Sequence, residues 1–105
     1  MTLTLAALSN VVRAELPSVR FDRIQPLGGG AGTTVDVQIL GADIEGVKSL
    51  LFDHAGLKAE PVEGKERTFR IAIGADVPSG TYDVRLVGRF GVSNPRLFAV
   101  TRGLT

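Results

Sequence analysis

The 105-residue chain has no cysteine, no tryptophan and a single histidine, His54. The missing thiols remove disulfides, thiolate metal sites and cysteine nucleophiles together. They leave the compartment open, because a chain able to bury a full core needs no bridges even outside the cell. One imidazole without thiolates cannot complete a zinc site. No apolar run approaches the roughly 18 residues that a membrane-crossing helix requires. Net charge is small as well: 12 Lys and Arg stand against 11 Asp and Glu, giving +1. No global field therefore draws the chain towards nucleic acid or an acidic membrane. After Leu16, apolar residues nowhere recur at helical spacing over a useful length.

Turn residues and alternation are what the chain has instead. Thirteen glycines and five prolines suit short strands joined by tight turns. Residues 33–40 give the clearest strand, with Val35, Val37 and Ile39 on one face and Thr34, Asp36 and Gln38 on the other. A half-buried strand requires this alternation, because successive side chains point to opposite faces. Gly41 ends it. The same period turns inward Val19 and Phe21, Leu50 and Phe52, Phe69, Ile71 and Ile73, then Tyr82, Val84 and Leu86, and finally Phe98 and Val100. Asp83 and Arg85 face outward. The first of these segments is bracketed by Pro17 and Pro26, and residues 57–62 contain Pro61; both read as edge strands. The glycine tract at 27–32 reads as a flexible turn, 43–46, 63–65 and 77–80 as turns, and 89–95 as a loop. About seven short strands with turn signals at this spacing define an all-β fold, and periodicity alone supports a sandwich or a small barrel equally; the resemblance that follows implies the first, an immunoglobulin-like β-sandwich.

The order of these features resembles the immunoglobulin-like IPT/TIG domains. The strand Gly32-Thr33-Thr34-Val35-Asp36-Val37-Gln38-Ile39, the turn from Gly41 to Ile44, and Leu50 with Phe52 carry the first half of the likeness. Val77-Pro78-Ser79-Gly80-Thr81-Tyr82-Asp83-Val84, then Gly91-Val92-Ser93-Asn94 and Phe98, carry the second. The runs 51–57 and 87–96 further resemble the N-terminal Ig-like modules of large secreted bacterial proteins that carry pre-peptidase C-terminal domains. The resemblance implies an exported setting and a module of a larger chain.

The N-terminus admits two readings. A short apolar run at 3–8 followed by Val12-Arg13-Ala14 looks like an abbreviated secretory leader cut after Ala14, though no basic residue precedes the run. The other reading is a flexible arm or short helix over residues 1–14. The domain is then residues 15–101, with 102–105 a tail or the start of a linker.

No residue set in the sequence has the make-up of a catalytic, phosphate-binding or metal site. His54 would need a nucleophile and an orienting partner to act as a base, and adjacent Asp53 points to the other face of a strand. A structural His at a loop end outweighs a catalytic one. The tract Gly28-Gly29-Gly30-Ala31-Gly32 precedes a strand rather than a helix and lacks Gly-Lys-Ser/Thr, so it is no phosphate loop. Asp22, Asp43, Glu45, Asp53 and Asp76 sit near turns without the spacing of a calcium loop. The expectation is therefore no catalysis, no metal and no cofactor. Tyr82, after the Pro-Gly turn, fits a tyrosine corner that bonds back to nearby backbone; Tyr82, Gly80 and Gly41 are expected to be structural. The basic loop with Arg89, Phe90, Asn94 and Arg96 has the composition of a partner contact. The reading is a non-catalytic structural or interaction module of an exported bacterial protein, contacting sister domains or a protein partner. The alternative is a carbohydrate- or surface-ligand-binding sandwich, for which Phe90 is the one aromatic not claimed by a strand.

Overall fold

The computed structural model describes residues 18–102, which hold nine strands and no helix. The leader or arm expected at 1–14 and the last three residues of the tail lie outside these residues. Strand β1 is Arg20–Gln25, β2 Gly28–Gly30, β3 Thr34–Ala42, β4 Ser49–Phe52 and β5 Leu57–Pro61. Then come β6 Thr68–Ile73, β7 Gly80–Gly88, β8 Gly91–Val92 and β9 Arg96–Thr101. Sheet A runs β1-β3-β6-β5, and sheet B runs β2-β9-β7-β4 with β8 paired to β7. The two sheets close on one core, so the chain is a β-sandwich.

Alternation places that core as expected. Val37, Ile39, Phe69, Ile71 and Ile73 from sheet A meet Leu50, Val84, Leu86, Phe98 and Val100 from sheet B, all of them buried. Phe52 packs edge-on against Phe98, with ring centroids 6.1 Å apart. The edge readings also hold, since β1 and the Pro61-bearing β5 flank sheet A.

Four expectations are corrected. Strand β1 is not a plain period-two strand. Its register slips between Phe21 and Arg23, and the extra residue lets Phe21 and Ile24, three apart, both turn inward to 0 % and 1 % exposure. The glycine tract is not a flexible turn but strand β2, pairing parallel with β9 from Gly28–Ala99 to Gly30–Thr101. Its lack of side chains is what permits the pairing: a Cβ on Gly28 would collide with the Ala99 carbonyl, and one on Gly29 would sit 2.9 Å from Ile73 Cδ1. Gly41 does not end β3 but lies within it, opposite Phe21, where a Cβ would strike the Arg20 carbonyl. The loop at 89–95 also contains β8, a two-residue return against Val87 and Gly88. The two short strands β2 and β8 are what raise seven to nine.

The chain enters at one pole and leaves at the other. The Ser18 amide donates to Asp43 Oδ2 at 3.2 Å, and Arg20 pairs with Ala42 at the end of β3. Strand β9 ends beside Gly30 and Ala31, next to the start of β3. The eight steps of β3 separate the two points by about 27 Å. Arg102, placed in the tail by the sequence, is tied back to the sandwich: its Nη1 donates to the Ala75 and Val77 carbonyls at 2.7 and 3.1 Å.

Candidate binding surface

The four residues proposed for partner contact divide into two pairs. Arg89 and Phe90 form the exposed tip of the β7–β8 hairpin. The Arg89 guanidinium carbon lies 5.3 Å from the Phe90 ring centroid, a cation–π distance, and Phe90 is 39 % exposed. The Arg89 stem lies over Gly46, where any Cβ would come within 2.7 Å of Arg89 Cδ. Asn94 and Arg96 instead brace the fold. Asn94 Oδ1 accepts from the Phe21 amide at 2.9 Å, and Asn94 Nδ2 donates to the Phe21 carbonyl at 2.9 Å. Arg96 Nε donates to the same carbonyl at 3.0 Å. Strand β1 is an edge of sheet A, where these two backbone groups have no second neighbouring strand, and buried peptide groups need partners. The exposed Asn94 side chain thus spends both ends on β1.

Ser93 completes this brace and was missed in the sequence. It is the one buried polar residue among the described ones, at 3 % exposure. Its Oγ accepts from the Leu86 amide at 2.9 Å and donates to the Asn94 carbonyl at 2.7 Å. Arg85 Nη1 donates to the Ser93 carbonyl at 3.2 Å. No periodicity signals such a residue. Only its place in a loop between two well-marked strands hints at it.

Tyr82 makes the corner that its position suggests. Its hydroxyl donates to the Pro78 carbonyl at 2.6 Å, across the turn that leads into Gly80 at φ 151°, a backbone angle that suits glycine. His54 stands edge-on to the Tyr82 ring at 5.4 Å, and its Nδ1 accepts from the Gly56 amide at 2.9 Å. Asp53 Oδ1 accepts from the Asp83 amide at 3.1 Å. His54 and Asp53 thus each hold backbone, separately. Among the described residues no three His, Asp or Glu side chains gather as a cation site would require.

The largest departure from the sequence picture is on the outside of sheet B. Leu51 at 52 %, Leu97 at 56 %, Val92 at 53 % and Leu27 at 68 % exposure lie on it or at its edge. Leu51 stands opposite Arg85, Leu97 opposite Asp83, and Val92 opposite Val87. The signal was in the sequence: with Leu50, Phe52 and Phe98 inward, Leu51 and Leu97 must point out. Where β1 of sheet A approaches β9, an open groove of about 410 Å³ continues this surface. That volume lies within the range of small-ligand sites, roughly 300–1,000 Å³. Leu27, Pro95 and Leu97 give it apolar walls, and Asp22, Arg23, Asp83 and Arg96 give it charge. Asp22 accepts from Arg20 Nε and Nη2 at 2.9 and 3.2 Å, which holds its carboxyl below the usual range.

No family model matches the sequence, and no curated protein matches it. Among solved structures, the fold is similar to part of SGBP-B from the Bacteroides ovatus mixed-linkage glucan utilization locus, solved in complex with a mixed-linkage heptasaccharide. The TM-score is 0.52 at 17 % sequence identity, over 78 % of this chain. The matched part is 22 % of the SGBP-B chain. The likeness is one of fold, a β-sandwich.

Proposed function

We propose that this sandwich is a non-catalytic binding module of a larger extracytoplasmic protein that handles carbohydrate. The observation that carries the reading is the fold shared with a fifth of a protein solved with a glucan heptasaccharide. The groove between β1 and β9 supports it from the side of chemistry. A pyranose offers apolar C–H faces and a rim of paired hydroxyls. Leu27 and Leu97 suit the first; Asp22, Asp83, Arg23 and Arg96 suit the second, because carboxylate and guanidinium groups can bond two neighbouring hydroxyls at once. Affinity electrophoresis through gels containing mixed-linkage β-glucan tests it. Retardation is expected, and Arg23→Ala and Leu27→Ala should each reduce it severalfold. Loss in Phe90→Ala with no change in those two would move the site to the hairpin tip. No retardation by any glycan would remove sugar contact from this domain.

A second reading, an in-line spacer between domains of an exported IPT/TIG-like protein, is favoured by one specific observation. The chain enters and leaves at opposite poles, and Asp43 and Arg102 pin both points. Small-angle scattering of two copies joined in tandem should then show an extended pair; a folded-back pair would count against a spacer.

A further inference from the structure

We propose that the outer face of sheet B is a self-association surface that pairs two copies of this chain face to face. Self-association needs no bound sugar, although Leu97 and Asp83 belong to both this face and the groove. It starts from what covers an apolar sheet face and what does not. Anything joined in line to this domain meets its poles, because the chain enters beside Asp43 and leaves beside Ala75. Leu51, Leu97 and Val92 lie between the poles, and water is a poor cover for them.

The charges on the face select the occupant. Along β7, Asp83 lies towards the pole where the chain leaves, and Arg85 towards the other. A second copy related by a two-fold axis in the interface plane, perpendicular to the strands, reverses that order. Strand β7 then faces β7, and Asp83 of each copy stands beside Arg85 of the other. Arg85 spends Nη1 on the Ser93 carbonyl, and a guanidinium has further donors for a carboxylate. The contact is isologous, so the Asp83–Arg85 match occurs twice.

The size of the face sets the strength. Strands β2, β9, β7 and β4 run two, five, eight and three steps, which at about 3.3 Å per step and about 4.8 Å between strands gives roughly 300 Å² per copy. A standard interface buries about 800 Å² per partner. The pair is therefore weak and gains most where the host protein is concentrated or tethered.

Sedimentation equilibrium of the 105-residue chain from about 5 to 500 µM, without sugar, tests this. A monomer–dimer equilibrium is expected within that range. Leu51→Asp should weaken it at least tenfold while leaving thermal melting unchanged. Asp83→Arg should weaken it, and Asp83→Arg combined with Arg85→Asp should restore it, since the swapped charges still meet across the two-fold. A monomer throughout the range overturns the proposal. So does dimerisation that ignores Leu51→Asp, or a double charge swap that stays as weak as the single one.

Discussion

The two sheets of this sandwich share a core and differ in almost everything else. Sheet A is regular apart from the bulge in its edge strand β1, and it is wet outside. Its outer face sets Asp36 opposite Arg70, and Arg70 opposite Glu60. Arg70 Nε and Nη2 grip both oxygens of Asp36 at 2.8 and 3.1 Å. Sheet B is irregular and apolar outside. It contains a parallel strand of three glycines and a strand of two residues, and the Ser93–Asn94 brace ties it to β1. Away from β1, sheet A thus rests on its backbone ladder, with its outward side chains serving solubility. Sheet B rests on particular side chains and their absence, and it carries the exposed leucines.

If that contrast is right, single substitutions should hurt sheet B more than sheet A. The largest effect is expected at Gly28. A valine there meets the Ala99 carbonyl, which is backbone and cannot swing aside. Gly28→Val should cost about 3 kcal/mol, the upper end of overpacking, read as a lower urea midpoint. A normal midpoint would mean that β2 is a loose appendage, and the contrast would weaken.

Next is Ser93→Ala. It strips the partner from the Leu86 amide in a buried setting, which costs about 1–3 kcal/mol. Hydrogen exchange should localise the loss to β7 and β9. Even protection loss across both sheets would show that the brace serves the whole core rather than sheet B. Tyr82→Phe should cost less, about 0.5–1.5 kcal/mol, because the bond to Pro78 lies at an exposed turn. An unchanged melting temperature in that variant would show that ring packing on His54 is sufficient.

The same contrast decides what the sequence could reveal. Sheet A was legible because each of its inner strands follows one local rule: Thr68-Phe69-Arg70-Ile71-Ala72-Ile73 states its burial residue by residue. The corner at Tyr82 was legible because a Pro-Gly turn fixes where a hydroxyl can reach. Sheet B hid where long-range geometry overrides local preference. Three glycines have little strand propensity of their own, and only β9, some seventy residues on, makes a strand of them. The bulge at Asp22 hid the inward turn of Ile24 for the same reason, since register belongs to a pair of strands. In the binding surface, Arg96 and Phe90 were visible as chemistry. Leu27, Leu51 and Leu97 were not, because a leucine beside an inward residue looks like core until the parity of its strand is enforced.

The smallest effect belongs to sheet A and fixes its side of the comparison. Arg70 bonding holds the Asp36 carboxyl below its ordinary value, and Arg20 does the same for Asp22. A carboxylate lowered in the fold adds stability above its unfolded pKa, about 3.9, and loses it as pH falls through the lowered value. Both pairs face solvent, so salt and water screen most of the gain. Asp36→Asn should therefore melt slightly below the parent chain at pH 7. The gap should close as the pH drops below about 4, where the parent carboxylate takes up its proton. Thermal melts of both proteins across that range at low ionic strength read it directly. A gap that is large at pH 7, or that widens in acid, would mean that the outer face of sheet A holds the fold through its side chains, as sheet B does.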